Sequence, residues 1–334
     1  MQIDSRRAKT ALSRARLLAA GFVVGGLLLP NVGLAQQYPS RPIRVVVSSP
    51  PGGAPDIAAR LIAEKLGHSL GQSMFVENRP GANGNLAMEV VAKSVPDGYT
   101  LMLIADSMVV INPHLYSKMP VDTLKGITPI ASVAITPSFY LTVNPSLPVK
   151  NFQEFIEYAR AANPPLAYAS GGPGSQHQMA MEMLKQRAGI NLLHIPYKGG
   201  GPAVLATVAG EVAATIAGSS GEIQIRAGKL RGLAATGPTR SPSRPELPTI
   251  GEFYPGYQLS AWIGMFGPPG LPEPILAKLR TDINRLIGSP EAKAMLNPTG
   301  LDPYVTTPQE FADVIRTEYE KYGSIIRVSG IKLD

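Results

Sequence analysis

Two short stretches carry residue types that could do chemistry: "SSPPGGAPD", Ser48 to Asp56, and "SGGPGSQH", Ser170 to His177. Each follows an apolar run and precedes a helical pattern, so each reads as strand, glycine-rich turn and helix N-terminus. Backbone N–H groups at such a turn point at an anion, and the helix end adds partial positive charge. A phosphate loop is excluded, because a lysine and a hydroxyl must follow its last glycine, whereas Gly53 is followed by Ala54 and the stretch ends in Pro55 and Asp56. Nor is a dinucleotide fingerprint complete: Gly172 and Gly174 are followed by His177, and Gly199 and Gly201 by Val204. Asp56 beside the first turn would repel a dianionic phosphate. A carboxylate held by a few neutral donors suits both turns better.

Catalytic and metal chemistry find little support. Ser175 and His177 are two apart, so on a helix they point away from each other, and "PGSQH" is not G-x-S-x-G. The histidines at 68, 114, 177 and 194 are scattered, cysteine is absent and no H-E-x-x-H occurs, so no metal site, no cofactor and no enzyme activity are expected. His177 reads as a hydrogen-bonding residue of a first helical turn and His194, in "LLHIPY", as a satisfied strand histidine. Lys198 in "PYKGGG" reads equally as an anion contact or a solvated lysine. Trp262, the single tryptophan, reads as core or cleft wall.

The elements that must position these turns alternate along the chain. "IRVVVSS" predicts a strand. "DIAARLIAEKLG" predicts a helix with Ile57, Leu61, Ile62 and Leu66 inward and Gly67 closing it. "MFVEN", "YTLMLIAD", "ITPIASVA" and "FYLTVNP" are further strands, with a helix over "NLAMEVVAKSV". A second unit opens at "NFQEFIEYARAA", capped by Asn151 with Glu154, and repeats the pattern through "LAYAS", "NLLHIPY", "VAATIAG" and "LRGLAATG". "LSAWIGMFGPP" then returns to the first unit, and helices over 274–287, 291–296 and 308–328 finish the chain. The expectation is α/β architecture with mixed, mostly parallel sheets flanked by helices, in two similar lobes. Residues 36–137 with 259–334 make one, discontinuous; residues 138–258 make the other.

The first residues stand apart. Five basic residues between Arg6 and Arg16 against Asp4 precede the apolar run Leu17 to Leu29 and a small-x-small site at Gly33 and Ala35. This pattern is a secretory signal peptide over residues 1–35, cleaved after Ala35 and too short in its apolar part to anchor. Arg6-Arg7 hints at twin-arginine export, but its flanks match poorly. Without this segment the net charge falls from +7 to +3, and no basic stripe remains for nucleic acid.

The runs "YPSRPIRVVVSSPPGGAPDIAARLIAEKLG", "VENRPGANGNLAMEVVAKSVPDGYTLML", "YASGGPGSQHQMAMEML", "HIPYKGGGPAVLATVAGEV" and "AGKLRGLAATG" together resemble the Bug/TctC family, the extracytoplasmic receptors of tripartite tricarboxylate transporters. The similarity spans residues 38 to 334. It implies a two-lobe periplasmic binding protein of type II, the Venus flytrap, which closes by hinge motion on a small carboxylate, an aliphatic di- or tricarboxylate or an aromatic acid. It implies that Pro51, Gly52, Gly53, Ala54 and Asp56 from the first turn meet the ligand. Ser170, Gly174, Ser175 and Gln176 from the second do the same, with Asp106, Ser107, Tyr197 and Lys198 as further cleft positions. The implied protein is a periplasmic monomer that delivers its ligand to membrane permease subunits or, alternatively, signals to a membrane sensor kinase. One departure stands out: Ala213 and Ala217 occupy places where many relatives carry an acid.

Overall fold

The computed structural model describes residues 38–49, 51 and 54–333; the expected signal peptide, Pro50, Gly52 and Gly53 lie outside the described residues. By internal contacts the chain divides into residues 1–40, of which 38–40 are described, and 41–334, which hold every element below.

The β-branched run Ile43–Val47 forms β1, with Val45, Val46 and Val47 wholly buried, as a strand covered on both faces requires. There follow α1 (Ala54–Leu70), β2 (Met74–Asn78), α2 (Asn85–Ala92), β3 (Thr100–Ala105), the short helices α3 (Asp106–Val110) and α4 (Asn112–Leu115), and β4 (Thr128–Thr136). The chain continues with β5 (Tyr140–Val143), α5 (Phe152–Ala161), β6 (Leu166–Ser170), α6 (Gln176–Ala188), β7 (Leu192–Pro196), α7 (Gly200–Ala209), β8 (Ala214–Ala217), α8 (Ser219–Arg226) and β9 (Arg231–Ala235). It ends with β10 (Ala261–Gly267), α9 (Glu273–Ile287), α10 (Pro290–Leu296), β11 (Asp302–Pro303) and α11 (Pro308–Ser329).

These strands make two sheets, ordered β11-β4-β10-β3-β1-β2 and β7-β6-β8-β5-β9. The sheets are mixed, as expected, with eight of the eleven described strands sharing one direction within their sheet and β5, β10 and β11 reversed. β10 runs antiparallel to both β3 and β4, and β5 antiparallel to both β8 and β9. The physical reason is the route of the chain. Helix-linked neighbours such as β1 and β3 or β6 and β8 are parallel. β5 and β10, by contrast, each enter a sheet directly from the other one and run the opposite way. Parallel strands therefore end on one edge in each sheet, and the strand-to-helix turns gather there.

The two crossings, residues 137–139 and 236–260, are joined to each other. The Phe139 amide donates to Thr236 Oγ1 (2.9 Å), which itself donates to the Leu259 carbonyl (2.8 Å), while the Thr236 amide donates to Phe139 O and the Leu259 amide to Thr236 O. Thr236 is wholly buried. Gly237 is required beside it, because a Cβ there would lie 2.8 Å from the Pro137 carbonyl. One apolar cluster runs from Met102 and Ile104 through Trp262, Phe311 and Tyr322 to Tyr168, Met179 and Ile216, so α11 packs on α3, α4 and β4 and also on α6.

Local readings mostly hold. Asn151 caps α5 by accepting from the Glu154 amide at 2.9 Å. Gly67 does not close α1: the helix runs to Leu70 and ends at Gly71, whose φ is +67°. Gly67 serves packing instead, since a Cβ there would sit 3.0 Å from the Gln72 carbonyl and 3.3 Å from the Met74 nitrogen at the start of β2.

Thr236→Val removes the shared hydroxyl while keeping the shape, leaving the Phe139 amide and the Leu259 carbonyl each short of one partner. Urea unfolding should show a loss of about 2–4 kcal/mol, whereas Thr236→Ser, which keeps the hydroxyl, should lose about 1 kcal/mol. Equal losses would assign the effect to packing.

Candidate functional site

The turns that follow β1, β3, β6, β7 and β8 gather at facing edges of the two sheets, and several contacts join them. The Gln176 amide nitrogen, at the start of α6, donates to Asp106 Oδ2 at 2.7 Å, at the start of α3. Tyr322 of α11 donates to Gln176 Oε1 (2.9 Å), and the Trp262 amide of β10 donates to the same Asp106 oxygen (3.1 Å). The Trp262 indole donates to Glu318 Oε2 at 2.7 Å. All five side chains are buried. Burial, followed by the nearby Glu318 carboxylate, pushes the Asp106 carboxyl up to about 7, against the hydrogen bonds from Gln176, Trp262 and Ser107.

Gly174 adds a second junction. With φ +77° it lies so close to the first sheet's turns that a Cβ would meet Leu115 Cδ1 at 2.5 Å and Asn83 Nδ2 at 3.4 Å. Asn83 belongs to "GANG", where Gly81, Ala82, Asn83 and Gly84 all have positive φ. Asn112 holds that strained turn by donating to the Asn83 carbonyl (3.0 Å) and to Asn85 Oδ1 (2.9 Å).

His177 sits between the glycine rows of both neighbouring turns. A Cβ on Gly171 would lie 2.8 Å from its Nδ1, and one on Gly200 would lie 2.9 Å from its Cε1 and Nε2. Phe139, from the first crossing, presents its ring at right angles with centroids 5.6 Å apart. Burial lowers the imidazole to about 4, so it is neutral, and its Nδ1 is shut from solvent with no hydrogen-bond partner. Ser49 Oγ, on the turn after β1, is likewise buried and unpartnered. At the start of α6, Ser175 Oγ accepts from the Gln178 amide, which leaves the Gln176 and His177 amides as open donors of that helix end.

The remaining expected contacts fall as follows. Pro51 is an exposed turn residue, Ser107 is half-buried with its amide donating to Asp106 Oδ1, and Lys198 is exposed. Ala54 opens α1. Three side chains are engaged by protein partners instead, Asp56 and Ser170 in buried positions and Tyr197 near the surface. Asp56 is buried in a two-pronged pair with Arg60 (2.9 and 3.0 Å) and accepts from Asn78, which also donates to the Ser49 carbonyl. Arg60 offsets its charge, so the expected repulsion of a dianion by Asp56 does not stand. Ser170 is wholly buried against His194, and the Tyr197 hydroxyl donates to Glu211 Oε2 at 3.1 Å. Ala217 also points inward, into an apolar cluster with Val204 and Leu230, so an acid at that position would not reach the turns.

Sequence reasoning passed over Glu318 and Tyr322. The signal was present: Phe311, Ile315, Tyr322, Ile325 and Ile326 form the buried stripe of α11, and Glu318 is an acid within it. Trp262 was legible as core, but its backbone role on Asp106 depends on β10 arriving beside β3, which local pattern does not encode.

Asp106 and His177 should tilt stability in opposite senses. Asp106 binds its proton more tightly when folded, so its contribution is present below its ordinary range and fades as pH rises through about 7. His177 binds its proton less tightly when folded, so its contribution is present above about pH 6.5 and fades as pH falls towards about 4. Between these limits the two slopes oppose. In urea unfolding at pH 4.5, 5.5 and 6.5, Asp106→Asn should lose stability on acidification relative to the parent, and His177→Gln should gain it, each by up to about 1.4 kcal/mol per pH unit. Profiles parallel to the parent would refute the assignment.

Comparison with known proteins gives one consistent picture. The family described as tripartite tricarboxylate transporter family receptor, TctC, matches residues 58–331. Protein BugT of Bordetella pertussis is 34% identical over 330 residues, covering 96% of this chain and 100% of that one. Among solved structures, R. palustris Rpa4515 with adipate superposes with a TM-score of 0.78 at 32% identity, covering 88% of this chain and 99% of that one. MatC from Rhodopseudomonas palustris with bound malate gives 0.74 at 30% identity, covering 86% and 100%.

Proposed function

Because the chain belongs to the TctC family of tripartite tricarboxylate transporter receptors, which are periplasmic solute-binding receptors, we propose that it captures a small carboxylate and delivers it to membrane permease subunits. The ligand class we infer is an aliphatic di- or tricarboxylate or an aromatic acid. The observation that carries this reading is the meeting of the two sheets' turns at Gln176 and Asp106, with unpartnered polar atoms on turns of both sheets, Ser49 Oγ and His177 Nδ1.

The chemistry of the site suits a carboxylate. Open first-turn amides and the positive end of α6 attract an anion without a cation. A neutral imidazole and a hydroxyl add donors whose desolvation is mild compared with that of a buried ammonium. The bound adipate and malate of the two solved relatives are carboxylates. In this reading residues 36–137 with 259–334 and residues 138–258 move as two lobes about the crossings at 137–139 and 236–260. Residues 1–35 direct export and are removed after Ala35.

Titration calorimetry with adipate, malate and a neutral diol as probes tests the reading. Saturable binding of a carboxylate, with no chemical change in it, is expected. Ser175→Asp keeps a good N-cap for α6 but places a negative charge at the ligand's end of that helix. Its carboxylate affinity should fall by at least about tenfold. Unchanged affinity, or a preference for the diol, would sink the reading.

A further inference from the structure

Behind the second glycine turn runs a closed ring of hydrogen bonds whose direction can be worked out atom by atom. The Gly174 amide donates to Gln178 Oε1 at 2.8 Å. That fixes the orientation of the Gln178 amide, and its nitrogen faces His194 Nδ1 at 3.3 Å. An NH₂ group can only donate, so Nδ1 must be the unprotonated nitrogen. The imidazole proton is then on Nε2, which lies 2.6 Å from Ser170 Oγ and donates to it. Ser170 Oγ also accepts from the Gly172 amide at 3.1 Å, so its own proton goes to the Gly172 carbonyl at 3.2 Å. The ring begins and ends on the turn that leads into α6.

Two consequences follow. First, Ser170 and His194 are not a nucleophile and its base. The nitrogen facing the hydroxyl carries the proton, and the free lone pair points at Gln178. Second, the turn is held in one shape, with Gly172 at φ +111° and Gly174 at φ +77°, and this shape aims the Gln176 and His177 amides.

We infer that Gln178 and His194 are positioning residues for the anion-facing turn, and that a neutral, Nε2-protonated His194 is the form that keeps the turn in its binding shape. The ligand arm of this inference rests on the carboxylate reading above. A proton on Nδ1 would set two donors against each other at Gln178. Rotating the Gln178 amide would only move that clash to the Gly174 amide. Either way one link opens and the turn loosens.

Tyr168 of β6 stacks on the His194 ring at 5.0 Å, and Glu182 and Lys185 lie beyond it on α6, joined at 2.8 Å, with the Tyr168 hydroxyl donating to Glu182 at 2.7 Å. Burial lowers the imidazole, Glu182 opposes it, and Lys185 adds a smaller lowering, so the neutral form holds at pH 7.

Three substitutions separate position from charge. His194→Gln supplies an acceptor towards Gln178 and a donor towards Ser170 without titrating. His194→Leu supplies neither. Gln178→Glu still accepts from Gly174 but cannot donate to Nδ1. Nitrogen-15 NMR of the histidine ring should report the Nε2–H tautomer at pH 7, and Gln178→Glu should raise the His194 titration by about one pH unit or more. Hydrogen exchange of the Gly174 amide should be slow in the parent and in His194→Gln. It should speed up by about tenfold or more in His194→Leu, and in the parent once His194 is protonated. Adipate and malate affinities should follow the same order, with His194→Gln losing the part of the acid-side decline that His194 causes. Asp106 and His177 titrate in all variants, so the difference between parent and His194→Gln is the diagnostic quantity. An Nδ1–H tautomer, or Gly174 exchange unmoved by His194→Leu, overturns the inference. If the parent binds neither acid, the carboxylate reading fails for these probes, and the tautomer and exchange results still decide the role of the ring.

Discussion

The structure depends on the chain passing between its sheets at two points that are hydrogen-bonded to each other. Thr236 is the centre of that constraint, with its hydroxyl and both backbone groups engaged by Phe139 and Leu259. Two crossings side by side mean that a strand leaving one sheet enters the other reversed, which is why β5 and β10 oppose their neighbours. Because only these strands and the short β11 reverse, the long helix-linked strands all end on the same edge of their sheet. The facing of the two sets of turns is therefore a consequence of the crossings. Phe139 carries the constraint into the site directly, since the crossing residue that bonds Thr236 also packs its ring against His177.

The buried part of the site that results is built, among the described residues, largely from neutral polar groups. Asp56 is offset by Arg60 and Asn78, and Asn78 also donates to the Ser49 carbonyl. Asp106 is buried, raised and shared among Gln176, Trp262 and Ser107, so it acts as a strut between the sheets. A buried carboxylate without a cation is expensive when charged. Its elevated proton affinity is the expected outcome, and neutral donors facing it avoid a second unpaired charge. The same economy holds for His177, which burial keeps neutral. In the carboxylate reading proposed above, attraction for the anion falls to helix-end amides, whose partial charge is fixed by the backbone and does not titrate.

Much of this was legible in the sequence, and the remainder was hidden for identifiable reasons. The alternation of β-branched runs and amphipathic helices gave the α/β class, because burial period is a local property. "LSAWIGMFGPP" was recognisable as a returning strand, yet its direction was not, since strand polarity follows from the path of the whole chain. Gly67 and Gly71 show a subtler limit. Both are glycines near a helix end, and only the tertiary approach of β2 explains the first while a positive φ explains the second. Glu318 was visible as an acid in the apolar stripe of α11, although its partner on Trp262 was not. For Ala217, similarity to relatives suggested a missing cleft acid, and the inward Cβ beside Val204 removes that meaning.

The glycine rows deserve a different account from the one their composition invites. "SGG" and "KGGG" read as loops that bare their amides to an anion. In the fold the Gly172 and Gly174 amides are engaged inward, by Ser170 and Gln178, and Gly171 and Gly200 are small because the His177 ring lies between them. Their backbone freedom serves the side chains behind the turn, and those side chains fix which amides remain open. Substitution at Gln178, His194 or Gly200 would therefore change what the helix end presents without touching a ligand. In this protein the shape of the second turn's outer surface is decided one layer beneath it.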